Sequence, residues 1–160
     1  MKGKSVKFAV GIAAVLAIAA ILLGFSWPKE EGLILRDPRT REVYASFPLE
    51  EGGRFSITFI HSVNKTPLTD VYEIRGGDIY VVETKYYSFG AGVQTELEEG
   101  QSLSYAEDGA MIISGFDKKM TGMVYVVGKI SDHVLKIGEA DYSLTELCGK
   151  GSAVEFVYRR

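Results

Sequence analysis

The sequence predicts an all-β protein, a single antiparallel sandwich or partly closed barrel of about ten short strands, preceded by one N-terminal transmembrane helix. Three observations carry this reading. Beyond Trp27, apolar and polar residues alternate in short runs, the period of a strand with one buried face. Turn residues separate the runs, and 18 glycines stand against 4 prolines, a balance that suits many tight turns. Ahead of the alternation, residues 8–25 read FAVGIAAVLAIAAILLGF without a single charge.

That apolar run is just long enough to cross a bilayer core of roughly 30 Å as a helix. Lys2, Lys4 and Lys7 precede it and favour a cytoplasmic N-terminus, and Trp27 follows at interfacial depth. The run exceeds the roughly 7–15 residues of a removable signal and ends without Ala-x-Ala, so an uncleaved anchor is expected. Residues 1–26 are thus read as a membrane anchor or signal segment, 27–32 as a polar linker and 33–160 as an extracytoplasmic β domain. The protein is expected in the cytoplasmic membrane, crossing it once through residues 8–25 with its C-terminal domain outside the cytoplasm.

Within the domain the expected strands are residues 32–36, 41–47, 54–61, 68–74, 78–87, 101–105, 110–114, 120–127, 133–137, 142–144 and 153–158. Turns fall at Asp37-Pro38, Gly52-Gly53, Gly76-Gly77, Asp108-Gly109 and Gly149-Lys150-Gly151. Asp108-Gly109 is a hairpin signal that needs positive φ. One short helix fits near residues 140–147, and no longer helical period is present.

Composition excludes several functions. Of 18 basic residues, three precede the apolar run, which leaves 15 against 21 acidic residues, a balance that does not invite nucleic acid. Cys148 is the single cysteine, so no intramolecular disulfide and no Cys/His zinc spacing exist. Nothing in the sequence calls for a cofactor.

The stretch FSITFIHSVNKTPLTDVYEI holds the candidate site. Side chains alternate along a strand, so His61 shares a face with Phe55, Ile57 and Phe59, and Asp70 with Tyr72 and Ile74. A loop centred between Lys65 and Thr66 would pair Ile57 with Ile74, Phe59 with Tyr72 and His61 with Asp70. A two-residue turn at Gly76-Gly77 would then pair Asp70 with Glu83, although one bulge would swap Glu83 with its neighbours. The expected polar corner is His61, Asp70 and Glu83. It reads either as a lock on the hairpin end or as a ligand- or partner-binding surface, and a transition metal would suit such a set better than calcium. His61 and Ser62 are adjacent and face opposite sides, so they form no nucleophile–base pair, and no G-x-S-x-G elbow is present. The chain is therefore read as non-enzymatic. A second segment, Ser88-Phe89-Gly90-Ala91-Gly92, can expose successive backbone N–H groups as an anion nest or form an ordinary loop.

His61-Ser62-Val63, Pro67 and Asp70, with Ser88-Phe89-Gly90-Ala91-Gly92 after a strand ending in Glu83, resemble the bacterial domain-of-unknown-function 1850 family. The resemblance extends over nearly all of residues 32–160, with Asn64 and Asp70 standing where glutamate is as often expected. It implies a small membrane-associated or exported protein, often encoded beside the membrane subunit of TRAP-type transporters of the TAXI class. It carries over no catalytic residue. The implied partners are that membrane subunit or its solute-binding protein. His61, Ser62, Asp70, Glu83, Ser88, Gly90 and Gly92 would form the contact surface. The alternative is a small-ligand or metal sensor built on the His61, Asp70 and Glu83 corner.

Overall fold

The computed structural model describes residues 32–88, 94 and 96–160. The expected anchor, residues 8–25, lies outside them. No helix among the described residues is long and apolar enough to cross a membrane. Among the described residues, eleven strands and one short helix follow in order: β1 Gly32–Arg36, β2 Val43–Pro48, β3 Arg54–Ile60, β4 Pro67–Arg75, β5 Asp78–Tyr86, β6 Ser102–Tyr105, β7 Met111–Lys119, β8 Val124–Val126, β9 His133–Ile137, β10 Ala140–Ser143, α1 Leu144–Cys148 and β11 Ala153–Arg159. They form two antiparallel sheets, one of four strands ordered β2-β1-β11-β8 and one of seven ordered β10-β9-β3-β4-β5-β7-β6. No ladder joins the sheets among the described residues, and they enclose a shared core as the layers of a sandwich do.

Local chemistry explains the elements. β1 lies between β2 and β11, and its Gly-Leu-Ile-Leu run is buried throughout. Such a strand reads as continuously apolar because both faces are covered. α1 begins where the Ser143 hydroxyl accepts from the Glu146 N–H at 3.0 Å, which satisfies one orphan donor of the first turn. Gly149, at φ 86°, ends it. The main core lies between the sheets: Leu33 and Leu35 of β1, Val154 and Phe156 of β11, and Phe55, Ile57, Tyr72, Ile74 and Leu135 of the larger sheet. Phe55 stacks on Tyr72 at 5.1 Å between centroids, within the range where aromatic pairs add to simple burial. A second apolar cluster, Leu68, Tyr86, Met111 and Ile113 with Phe59 against it, fills the other end of the larger sheet.

Four expected pairings are corrected: Ile57 with Ile74, Phe59 with Tyr72, His61 with Asp70 and Asp70 with Glu83. β3 and β4 pair Ile57 with Asp70, Phe59 with Leu68 and Ile60 with Pro67, so His61 does not lie opposite Asp70. The cause is the turn. The His61 N–H donates to the Thr66 carbonyl and the Lys65 N–H to the His61 carbonyl, each at 2.9 Å, with Lys65 left-handed at φ 56°. This closure zips the hairpin further than a loop centred at residues 65–66 allows. The displacement is even, so every side chain keeps its expected face. On the far side of β4, Ile74 pairs with Ile79 and Tyr72 with Val81 as expected. Then a bulge shifts the register: Val71 meets Glu83 and Asp70 meets Thr84. Asp70 and Glu83 therefore project from opposite faces of the sheet.

β7 bends at Gly115, where φ is +87° and an added Cβ would overlap the Gly100 carbonyl oxygen. Gly109 has a similar φ of +81° but open space around it. Gly109→Ala is expected to cost about 1 kcal/mol, the strain of a left-handed residue. Gly115→Ala should cost clearly more, because strand and loop must also separate. Urea unfolding of the two variants measures this, and equal losses would show that the close approach does not constrain β7.

Candidate functional site

The site begins with Asp70, at the middle of β4 on the core-facing side. Thr84, its partner on β5, donates a hydroxyl hydrogen bond to Oδ1 at 2.7 Å. Tyr125, the central residue of β8, reaches across from the smaller sheet and donates to Oδ2 at 3.3 Å. With that proton committed, the Tyr72 hydroxyl donates in turn to the Tyr125 oxygen at 2.6 Å. Three neutral hydroxyls thus serve one partly buried carboxylate. Burial raises the Asp70 carboxyl above the usual carboxylate range, and the hydrogen bonds from Thr84 and Tyr125 only partly oppose it. Burial first, then Tyr125 and Asp70, raise Tyr72, and burial first, then Asp70, raise Tyr125 against the opposing hydrogen bond from Tyr72, so both remain donors at any ordinary pH.

Two loops build walls above this floor. One is the turn after β3, where His61 Nδ1 accepts from the Asn64 N–H at 3.4 Å. The other runs from β8 to β9. There the Gly128 N–H donates to His133 Nδ1 at 3.2 Å, which places the proton of a neutral ring on Nε2. Gly128 has no room for a side chain, since a Cβ would overlap the Ser131 carbonyl oxygen. Asp132 ties this loop to α1 by accepting from the backbone N–H groups of His133 and Thr145. His133 lies opposite Phe59 across the β3–β9 ladder and stacks on it at 5.1 Å, with Tyr125 edge-on at 5.8 Å. Burial holds the His133 ring below its usual pKa, so it is neutral near pH 7.

Between the walls opens a cleft of about 620 Å³. Both histidines, Asp70, Lys65 and Lys129 line it together with Phe59, Leu68 and Ile130. An apolar concavity of this size with a few convergent polar groups has the form of a small-molecule site.

The structure thus brings His61, Ser62 and Asp70 to one cleft but leaves Glu83 on the opposite face. Ser88 approaches from one side, its carbonyl accepting from the Asn64 side-chain amide at 3.2 Å. Gly90 and Gly92 lie outside the described residues. No group of three or more His, Cys, Asp or Glu side chains among the described residues is placed to hold a metal ion. Sequence reasoning missed Tyr125, His133, Lys65 and Lys129. Tyr125 sits in the continuous apolar run of residues 123–127 and reads as core, and His133 reads as a turn before a strand.

Fold and cleft together define a class: a small antiparallel β-sandwich with a concave, polar-floored site at one end. The chain belongs to the family described as Domain of unknown function (DUF1850), whose model matches residues 55–144, more than half of its length. The match starts in β3 and ends at the first residue of α1, so it takes in the cleft and leaves out β1, β2 and β11. No curated protein and no solved structure is significantly similar to the chain.

The raised Asp70 carboxyl gives a pH-dependent stability of known sign. Between the unfolded pKa near ~3.9 and the higher folded value, the folded chain binds more protons than the unfolded chain. The contribution is fully present below the unfolded pKa and is lost as pH rises through the folded one. Asp70→Asn keeps hydrogen-bonding capacity without the charge. It should raise the melting temperature at pH 7 by about 4 °C, the shift roughly 1 kcal/mol produces in a domain of this size. The gain should vanish near pH 3.5. Calorimetry at the two pH values checks this, and a variant less stable than the parent at pH 7 contradicts it.

Proposed function

We propose that this protein is a membrane-anchored, extracytoplasmic and non-enzymatic accessory protein of a TRAP-type transporter of the TAXI class. In this reading, the cleft beside His61 meets a solute or a transporter subunit. The observation that carries it is the cleft itself, a concave site assembled within the family-matched residues on a rigid sandwich. The resemblance of the chain supplies the transporter context. Residues 8–25 would anchor the domain at the outer face of the cytoplasmic membrane. β1 starts at Gly32, so only residues 26–31 intervene, a reach of about 20 Å at full extension. The domain would therefore stay within reach of a membrane subunit or of a solute-binding protein docked on it. A non-enzymatic role is supported by His61, whose Nδ1 accepts from a backbone N–H in its own turn, while exposed Ser62 follows it in the chain.

Affinity purification of the tagged full-length protein from detergent tests the reading. A transporter membrane subunit or solute-binding protein should co-purify, and deleting the protein should lower solute uptake several-fold. Recovery of neither component, with uptake unchanged, would sink it.

A further inference from the structure

Asp70 differs from Glu73 and Glu155, two part-buried carboxylates that arginines bond. Glu73 is bonded by Arg54 and Arg75, each at 2.6 Å, and Glu155 by Arg36 at 2.7 Å and by Arg41. Asp70 is more enclosed than an ordinary surface carboxylate, yet among the described residues no cation bonds it. Thr84 and Tyr125 occupy two of its roughly four acceptor positions. The carboxylate lines the cleft, so acceptor capacity and negative charge face the space a ligand would fill. A cationic donor gives a charge-assisted bond there, about twice as strong as a neutral one.

A plain cation would not suit the whole cleft. Lys65 and Lys129 also line it, both are exposed, and neither forms an ion pair with a described residue. The Lys129 stem runs along Gly151, where a Cβ would come within 3.1 Å of its Cε, so its ammonium is carried on a supported stem. Two lysines in the lining favour a negative group on the ligand. Leu68 lies two residues along β4 from Asp70, toward the turn that carries Lys65, with Phe59 opposite it, while Ile130, 99% exposed, follows Lys129 in the chain. Apolar side chains between a carboxylate and a cation match a molecule with an ammonium, an apolar body and a carboxylate.

We infer that the cleft binds a small apolar zwitterion, an α-amino acid with a leucine- or phenylalanine-like side chain or a dipeptide of such residues, with its ammonium on Asp70 and its carboxylate toward Lys65 and Lys129. The inference rests on reading the cleft as the ligand site of the proposed accessory function. A volume of about 620 Å³ admits either form and excludes neither by size.

Isothermal titration of the full-length protein in detergent at pH 7 tests it. The probes are L-phenylalanine, Leu-Leu, 3-phenylpropanoate, which lacks the ammonium, and 2-phenylethylamine, which lacks the carboxylate. At least one zwitterion should bind, and loss of either charge should weaken binding by about tenfold or more. Asp70→Asn should abolish the preference for phenylalanine over 3-phenylpropanoate. The pair Lys65→Ala and Lys129→Ala should abolish the preference over 2-phenylethylamine. These lysines are exposed, so their variants fold independently of the outcome at Asp70. Absence of zwitterion binding, or preferences unchanged in both variants, would overturn the inference. Co-purification with a transporter subunit is read separately, so failure of the ligand class and failure of the transporter role are distinguishable.

Discussion

The bond from the Tyr125 hydroxyl to Asp70 joins the two sheets at the end where the cleft opens, and the surrounding geometry is arranged to make it. A carboxylate taken this far from water must find donors or lose its charge, since an unserved buried polar group costs on the order of 1–3 kcal/mol, and more when charged. The hydroxyls of this network come from three strands. Thr84 is presented by the register that follows the bulge in β5. Tyr72 lies two residues along β4, on the same face. Tyr125 hangs from β8, an edge strand of the smaller sheet. Without the bulge, Glu83 would meet Asp70, and two like charges would share one partly buried face. The irregularity in the ladder replaces repulsion with a hydroxyl donor.

The same floor explains the difference in character between the two ends of the sandwich. Toward Phe55 and Phe156 the sheets close over stacked rings and aliphatic side chains, as an ordinary core does. Toward Phe59 the rings of Tyr125 and His133 turn edge to face, and polar tips replace methyl groups. A core optimised for stability alone would have no reason to keep a carboxylate among hydroxyls with no arginine nearby. Sites held for binding often keep such locally unfavourable groups, and the rest of the fold offsets them.

The fold was largely legible because alternation survives in any register. β9 falls at the expected residues, and most other strands end within a residue or two of expectation; β8 is the shortest against its expected span. Register was less legible. The turn after β3 uses a left-handed lysine where glycine would have announced the bend, so Lys65 gave no signal. The error of four residues in the His61 pairing left the faces intact because it was even. The bulge was foreseeable only as an alternative, since Val82 and Thr84 suit a core as well as their neighbours do. His61 and Asp70 were found because they lie in one hairpin. Tyr125 stands 55 residues from Asp70, and no local pattern links residues that meet only when two sheets are stacked.

β8 is three residues long and pairs with β11 only from Ala153 to Glu155. Backbone bonds from Phe156 to Met123, from Val127 to Ser152 and from Gly151 to Val127 flank it. The hydroxyl that closes the carboxylate network therefore hangs from the shallowest rung of the smaller sheet. Local opening free energies follow the number of bonds and contacts that must break. Freeing Tyr125 requires this short segment to lift while β1 and β11 stay paired. The amide protons of residues 124–126 should thus trade with solvent through a small excursion well below the cost of unfolding, and the floor of the cleft is set by the least secured strand of its sheet.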